Sequence, residues 1–164
     1  MPYDAVTIRE ADHVKGLQNA VEDDLHGLYD AILHHFFGRD RNYIIEHQKM
    51  GPGGKPEFIV IRHDTPGKRN PVLIVELKRP SKWTTAGKQE IMQELTAYIE
   101  GRLDMTEYSM IYGLAGIGVH WTACYMKKAG GPNPVIVQPW HDDITSAQGY
   151  NLMQAFANTV HNIK

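Results

Sequence analysis

Two acidic residues and one lysine stand where strand geometry would let them act together. The chain reads Lys55-Pro56-Glu57-Phe58-Ile59-Val60-Ile61 and, beyond a turn-rich stretch, Pro71-Val72-Leu73-Ile74-Val75-Glu76-Leu77-Lys78-Arg79-Pro80. Side chains alternate faces along a strand, so Glu76 and Lys78 point the same way, two residues apart. Glu57 opens the neighbouring strand and can come alongside Glu76. At about 4.5 Å and an effective dielectric of about 20, two such carboxylates repel by roughly 4 kcal/mol. Either one takes up a proton or a cation sits between them. Mg²⁺ favours one or two carboxylates with waters and phosphate oxygens. Held there, such an ion supplies a hydroxide-like nucleophile and offsets charge developing on a phosphodiester. Lys78 would orient the attacking water or stabilise the transition state.

An acid-x-lysine triplet alone says little, because about one is expected by chance in a chain of this composition. Its setting carries the weight: a Pro-acid pair opening one strand, a turn-rich hairpin, and the triplet closing an apolar strand. The bland alternative is a charged strand end with Lys78 paired to Glu76 at the surface.

The elements that must hold these residues are legible as hydrophobic periods. Val14, Leu17, Val21, Leu25, Leu28, Ile32 and Phe36 recur at three- and four-residue steps, predicting one amphipathic helix stopped near Gly38. Strands are expected at Tyr43 to Gln48, Phe58 to Arg62 and Val72 to Lys78, the last buried on both faces. The turn Gly51-Pro52-Gly53-Gly54 separates the first two. A helix over Ala86 to Leu103 follows, with Ile91, Leu95, Tyr98 and Ile99 as its stripe. Ser109 to Leu114 and Gly118 to Met126 read as adjacent strands, Gly113, Gly116 and Gly118 marking a turn between strands. Val135 to Val137 suggests an edge strand. A last helix, Ser146 to Ile163, directs Leu152, Ala155, Phe156 and Val160 inward. This order predicts an α/β (α+β) fold, a mixed central sheet flanked by helices in one domain, residues 1–164.

The arrangement of Pro56-Glu57 with Glu76-Leu77-Lys78 resembles the PD-(D/E)xK nuclease superfamily, with its restriction-endonuclease-like fold. It also resembles small nuclease-like modules of fungal proteins whose third strand is of the Val75-Glu76-Leu77-Lys78-Arg79-Pro80 type. The resemblance implies that Glu57 and Glu76, with the Leu77 carbonyl, hold Mg²⁺ or Mn²⁺ and that Lys78 assists hydrolysis of DNA or RNA. The family's first motif acid is usually Asp; Glu57 is one methylene longer, which shifts the geometry. Two expectations follow: a metal-dependent nuclease, or an inactive nuclease-fold module that binds nucleic acid or a protein partner. Metal-free structural or assembly work is a third. Many relatives place an acid on the first helix, for which Glu22 is the candidate, against an ordinary solvated acidic face. Some carry a glutamine followed four residues later by tyrosine. Gln89 and Gln93 are the candidates for it, although Tyr98 follows Gln93 by five; a solvent-facing pair is the alternative. Related enzymes with two active sites often dimerise, so the resemblance leaves a homodimer open for this chain.

Lys55, Arg79, Lys82 and Lys88 could contact phosphates and Trp83 could stack on a base, each against a solvated or packed role. Residues 41–90 hold ten Lys/Arg and five Asp/Glu, a net of +5, whereas the remainder holds seven and fourteen, a net of −7. Such a segment can attract a polyanion although the whole carries −2. A lone Cys124 excludes a disulfide framework and reads as a buried inert thiol. No Cys-x₂-Cys and no helical His-x₃-His with Glu supports zinc, and no nucleotide-loop or nucleophile-elbow motif is present. No apolar run suits a membrane span and the first twenty residues do not read as a leader, so an intracellular, membrane-free setting is expected.

Overall fold

The computed structural model describes residues 3–64 and 66–164. Its centre is a six-stranded sheet in the order β1-β2-β3-β4-β5-β6. The strands are β1 Tyr43–His47, β2 Phe58–His63, β3 Arg69–Lys78, β4 Met110–Ile117, β5 His120–Lys127 and β6 Val135–His141. All neighbours run antiparallel except β3 and β4, which run parallel and are joined by the crossover helix α3, Thr85–Glu100. The sheet is therefore mixed, as expected. Helices α1 (Ala5–Lys15), α2 (Glu22–Phe36) and α4 (Ala147–His161) complete the fold. No helix of the described residues is long and apolar enough to cross a membrane.

Alternation along β3 explains why both faces are covered. Leu73, Val75 and Leu77 join the larger core with Leu25, Leu28, Ile32 and Phe156 from α2 and α4. Ile74 joins the opposite core with Ile91, Leu95 and Ile99 of α3. Val72 to Val75 have no exposed surface, so the unbroken apolar run is a central strand.

Three expectations need correction. The single helix from Val14 to Phe36 is two helices: Gly16 caps α1 and Asn19 is left-handed, with φ 57°. The hydrophobic period continued across the break because both helices lie on one side of the sheet. Yet Val21 is 38 % exposed and is not core. The acids Glu22, Asp23 and Asp24 crowd the first turn of α2, where the helix dipole favours them, and Asp24 accepts from the Val21 N–H. Secondly, only Gly118 lies between strands; Gly113 and Gly116 lie inside β4. A Cβ at Gly116 would stand 2.5 Å from the Tyr29 hydroxyl, and one at Gly113 2.9 Å from Ile99. These glycines let α2 and α3 approach β4 from its two faces. Thirdly, α4 buries Tyr150, Met153, Phe156, Ala157 and Val160; Leu152 is half-buried and Ala155 exposed.

Candidate active site

Pairing between β2 and β3 begins at Phe58↔Val75, so Glu57 and Glu76 occupy the next opposed positions. Pairing of β3 with β4 continues through Glu76↔Ala115 to Lys78↔Ile117. The triplet thus has β4 along one side and an edge beyond the β2 ladder along the other. Glu76 and Lys78 both face α3, as alternation requires.

Glu76 is only 7 % exposed. Its Oε1 accepts from the Leu77 N–H at 2.9 Å, and Tyr98 stands beside it. Burial pushes the carboxyl up to about 7, helped by the charge of Glu94 and opposed by the Leu77 N–H, Tyr98 and Lys78. Tyr98, itself raised by burial and by Glu76, remains neutral. Lys78 does not form an ion pair with Glu76. Its Nζ lies 3.0 Å from Glu94 Oε2 and 3.9 Å from Glu90 Oε1. Burial would lower the Lys78 pKa, but the hydrogen bond and charge of Glu94, with Glu76 and Glu90, hold it above the usual lysine range. Glu90, Glu94 and Tyr98 recur at four-residue steps along α3. The residue four before Tyr98 is Glu94, one beyond the candidate Gln93.

Glu57 turns the other way, toward α2. Its Oε1 lies 2.5 Å from His26 Nδ1 and 3.3 Å from Gln48 Nε2. His26 stacks on Phe58 with ring centroids 4.5 Å apart. His26 Nε2 in turn meets His47 Nδ1 at 2.9 Å, and His47 Nε2 lies 3.4 Å from Asp30 Oδ1. The expected pressing together of Glu57 and Glu76 is thereby relieved. Of the acids, Glu94 is the one whose charge bears on Glu76. Among the described residues no group of three or more His, Cys, Asp and Glu side chains is gathered as a metal cage.

The Leu77 side chain is buried on the opposite face, which fixes the backbone between the two motif residues. Glu22 binds the Arg79 guanidinium at 3.1 and 3.2 Å. Burial opposes its ionisation, but a hydrogen bond from its own backbone and the contacts from Arg79 bring its pKa down. Two candidate residues thus neutralise each other. Gln93 is exposed and shares an open groove with Gln89 and Pro132 to Pro134. Lys55 is exposed. Lys82 Nζ lies 4.0 Å from Glu90, and Lys88 Nζ lies 3.9 Å from the centroid of the Trp83 ring. Trp83 stacks on His120 at 3.8 Å, so one face expected to receive a base is covered by the chain itself. Cys124 is 1 % exposed, and burial pushes its thiol up to about 12, consistent with an inert thiol.

One residue that sequence reasoning did not single out braces the approach to Glu57. Arg102 is 2 % exposed and donates to the carbonyls of Pro52 (2.7 Å), Gly54 (2.9 Å), Tyr98 (3.2 Å) and Lys49 (3.3 Å). It fastens the 49–54 turn to the end of α3. Gly53, with φ 84°, presses so close that a Cβ would stand 2.4 Å from the Ala97 carbonyl oxygen.

Neither a protein-family model nor a curated protein sequence matches the chain. A solved structure does: the type IIG restriction endonuclease BpuSI superposes with a TM-score of 0.53 at 15 % identity. The match covers 84 % of this chain and 16 % of that one. The fold is thus restriction-endonuclease-like, and the chain spans about a sixth of its neighbour's length.

Proposed function

We propose that this chain is a Mg²⁺- or Mn²⁺-dependent phosphodiesterase acting on DNA or RNA through Glu57, Glu76 and Lys78. The observation that carries this reading is the buried Glu76 carboxylate beside Lys78 on a fold shared with a restriction endonuclease. Lys78 is held by Glu94, so Glu76 has no ion-paired cation of its own. A carboxylate in that state takes up either a proton or a metal ion near neutral pH. The hydrogen bonds of Glu57 fall on Oε1, which leaves Oε2 to ligate. If Glu57 swung back from His26, the two carboxylates and the Leu77 carbonyl would offer an all-oxygen donor set, suited to a hard cation that keeps several waters.

The bound ion would lower the pKa of a water and offset charge on the phosphoryl oxygens. Within the protein, the Leu77 N–H orients Glu76, while Glu94 directs the Lys78 ammonium along the face shared with Glu76. Lys78 then donates to the attacking water or to a phosphoryl oxygen. Lys55 and Arg79 are the candidate phosphate contacts, Arg79 after exchange of its pairing with Glu22. A second reading, a module that binds without cutting, is favoured by one observation: Glu57 is drawn toward His26 and away from the face of Glu76.

Labelled DNA and RNA incubated with Mg²⁺ or Mn²⁺ separate the two. Cleavage that stops with chelator and in both Glu76→Ala and Lys78→Ala is the expected result. Binding of the same substrates with no cutting under any condition would establish the second reading.

A further inference from the structure

We propose that the cleft beside Arg79 receives one unstacked nucleotide of the substrate, an inference that rests on reading nucleic acid as the ligand of this chain. The cleft has two halves that adjoin at Leu17 and Pro80. The first, a groove of 450 Å³, is lined also by Asn19, Arg79 and Ser81. The second, a cavity of 290 Å³, is walled by Leu25 and Val119 and reaches the ring of His120. One half is therefore polar and the other largely apolar, as a nucleotide is polar at its phosphate and flat and apolar over its base. Among the described residues no Asp or Glu lines either half, whereas Arg79 lines one and Lys15 the other. Their ion-pair partners, Glu22 and Asp143, stand outside the lining.

The walls are held by the chain itself. The Gly118 N–H donates to the Lys78 carbonyl at 3.0 Å, and the Val119 carbonyl accepts from Ile144 at 2.9 Å, which ties the β4–β5 turn to the end of β3. Opposite, Leu17 donates to the Val14 carbonyl at 3.2 Å. His120 is fixed by its stack on Trp83, and its Nδ1 is buried without a hydrogen-bond partner. A buried ring nitrogen left unpaired is costly, so this wall offers polar capacity that the protein does not use. Arg79 directly follows Lys78, so a strand with one phosphate at Lys78 can carry its neighbouring nucleotide into the cleft. A base stacked and paired in a duplex cannot enter, whereas a single strand or a frayed end gives up little to do so. The substrate class that fits is single-stranded nucleic acid.

The experiment is an amide-resolved NMR titration in chelator with deoxyadenosine monophosphate, deoxyribose phosphate and inorganic phosphate, so that binding is read without any metal ion. Wild type is compared with Val119→Phe, which fills the cavity, and His120→Phe, which keeps a ring on Trp83 but removes both nitrogens; each is first shown to melt cooperatively. We expect the nucleotide to shift the amides of Leu17, Val119 and His120, and to bind about tenfold or more tightly than deoxyribose phosphate. Val119→Phe should lose about that factor, and His120→Phe should lose less. Cleavage of a single strand should exceed that of a blunt duplex by about tenfold or more in kcat/KM. No shift at those amides, equal binding of the base-free phosphate, or a duplex cut as readily as a single strand would each overturn the inference and leave the nuclease reading standing. Nucleotide binding in the cleft with no cleavage of any substrate would uphold it and favour the module that binds without cutting.

Discussion

At the scale of single residues, the character of the site comes from where Glu76 is rather than from what it is. Burial lifts its pKa from 4.5 to about 7. Between those values the folded chain holds a proton that the unfolded chain has released. Stability conferred by this group is therefore full below about pH 4.5 and is lost as pH rises to 7, by roughly 3 kcal/mol. Thermal melts across that window should show wild type losing stability relative to Glu76→Gln as pH rises. Added Mg²⁺ at pH 8 should restore part of the loss in wild type alone, because an ion that binds only the folded state stabilises it by mass action. A wild-type profile parallel to that of Glu76→Gln would mean that water reaches the carboxylate freely. That Glu76 and Lys78 share one face at the end of a buried strand was readable from their spacing. That Lys78 is held by Glu94 was hidden, because the bond joins a strand to a helix sixteen residues on. The glutamine–tyrosine pattern does not reach it, because the residue four before Tyr98 is a glutamate, Glu94.

Elements obeyed their hydrophobic periods wherever the period had a single cause. β2, β3 and α3 all form over their apolar runs, but β2 runs one residue longer at its end, β3 starts three residues earlier and α3 ends three residues sooner than expected. The period misled where two helices shared a phase, although Gly16, Asn19 and the Glu22-Asp23-Asp24 cluster mark the break in the residues themselves. Arg102 left no such mark: a lone arginine after a helix has no pattern, and its four carbonyl partners lie in two separate segments. Its removal should be expensive, since several buried carbonyls would lose a charged donor. Urea unfolding of Arg102→Ala should show a loss of about 2–4 kcal/mol. Arg102→Lys should recover little of it, a single ammonium being unable to span the four acceptors. Recovery to wild-type stability in Arg102→Lys would show that charge rather than the planar fork is what matters. At β4, Gly116→Ala should cost about 1–3 kcal/mol by overpacking against Tyr29, which donates to the Gly118 carbonyl at the turn beside the triplet.

Across the whole molecule, folding redistributes the charge that the sequence displays in one block. Of the ten basic residues in 41–90, six lie within 4.0 Å of an acid: Arg62, Lys68, Arg69, Lys78, Arg79 and Lys82. Glu107, Glu94 and Glu22 come from outside that segment, which is why a count along the chain overstates the positive surface. Four basic residues of the block remain outside these pairs. Filter-binding to a short duplex without divalent ions should accordingly give a log–log salt slope of about −3 to −4. A slope near −9 would mean that the pairs open and all ten contact phosphate.

The stack of Trp83 on His120 gives the protein an internal optical probe. The rings are 3.8 Å apart and tilted by only 3°, close enough for a protonated imidazole to quench the excited indole. Burial, with the Lys88 charge, lowers the His120 pKa below its ordinary 6.5 despite the opposing pull of Asp142. Indole emission should therefore be bright at neutral pH and dim on acidification, with a midpoint below 6.5 that Trp83→Phe removes. Trp83 directly follows the short turn of Pro80–Lys82 that leaves the Lys78 strand. Light emitted there becomes a label-free signal of whatever settles beside the site.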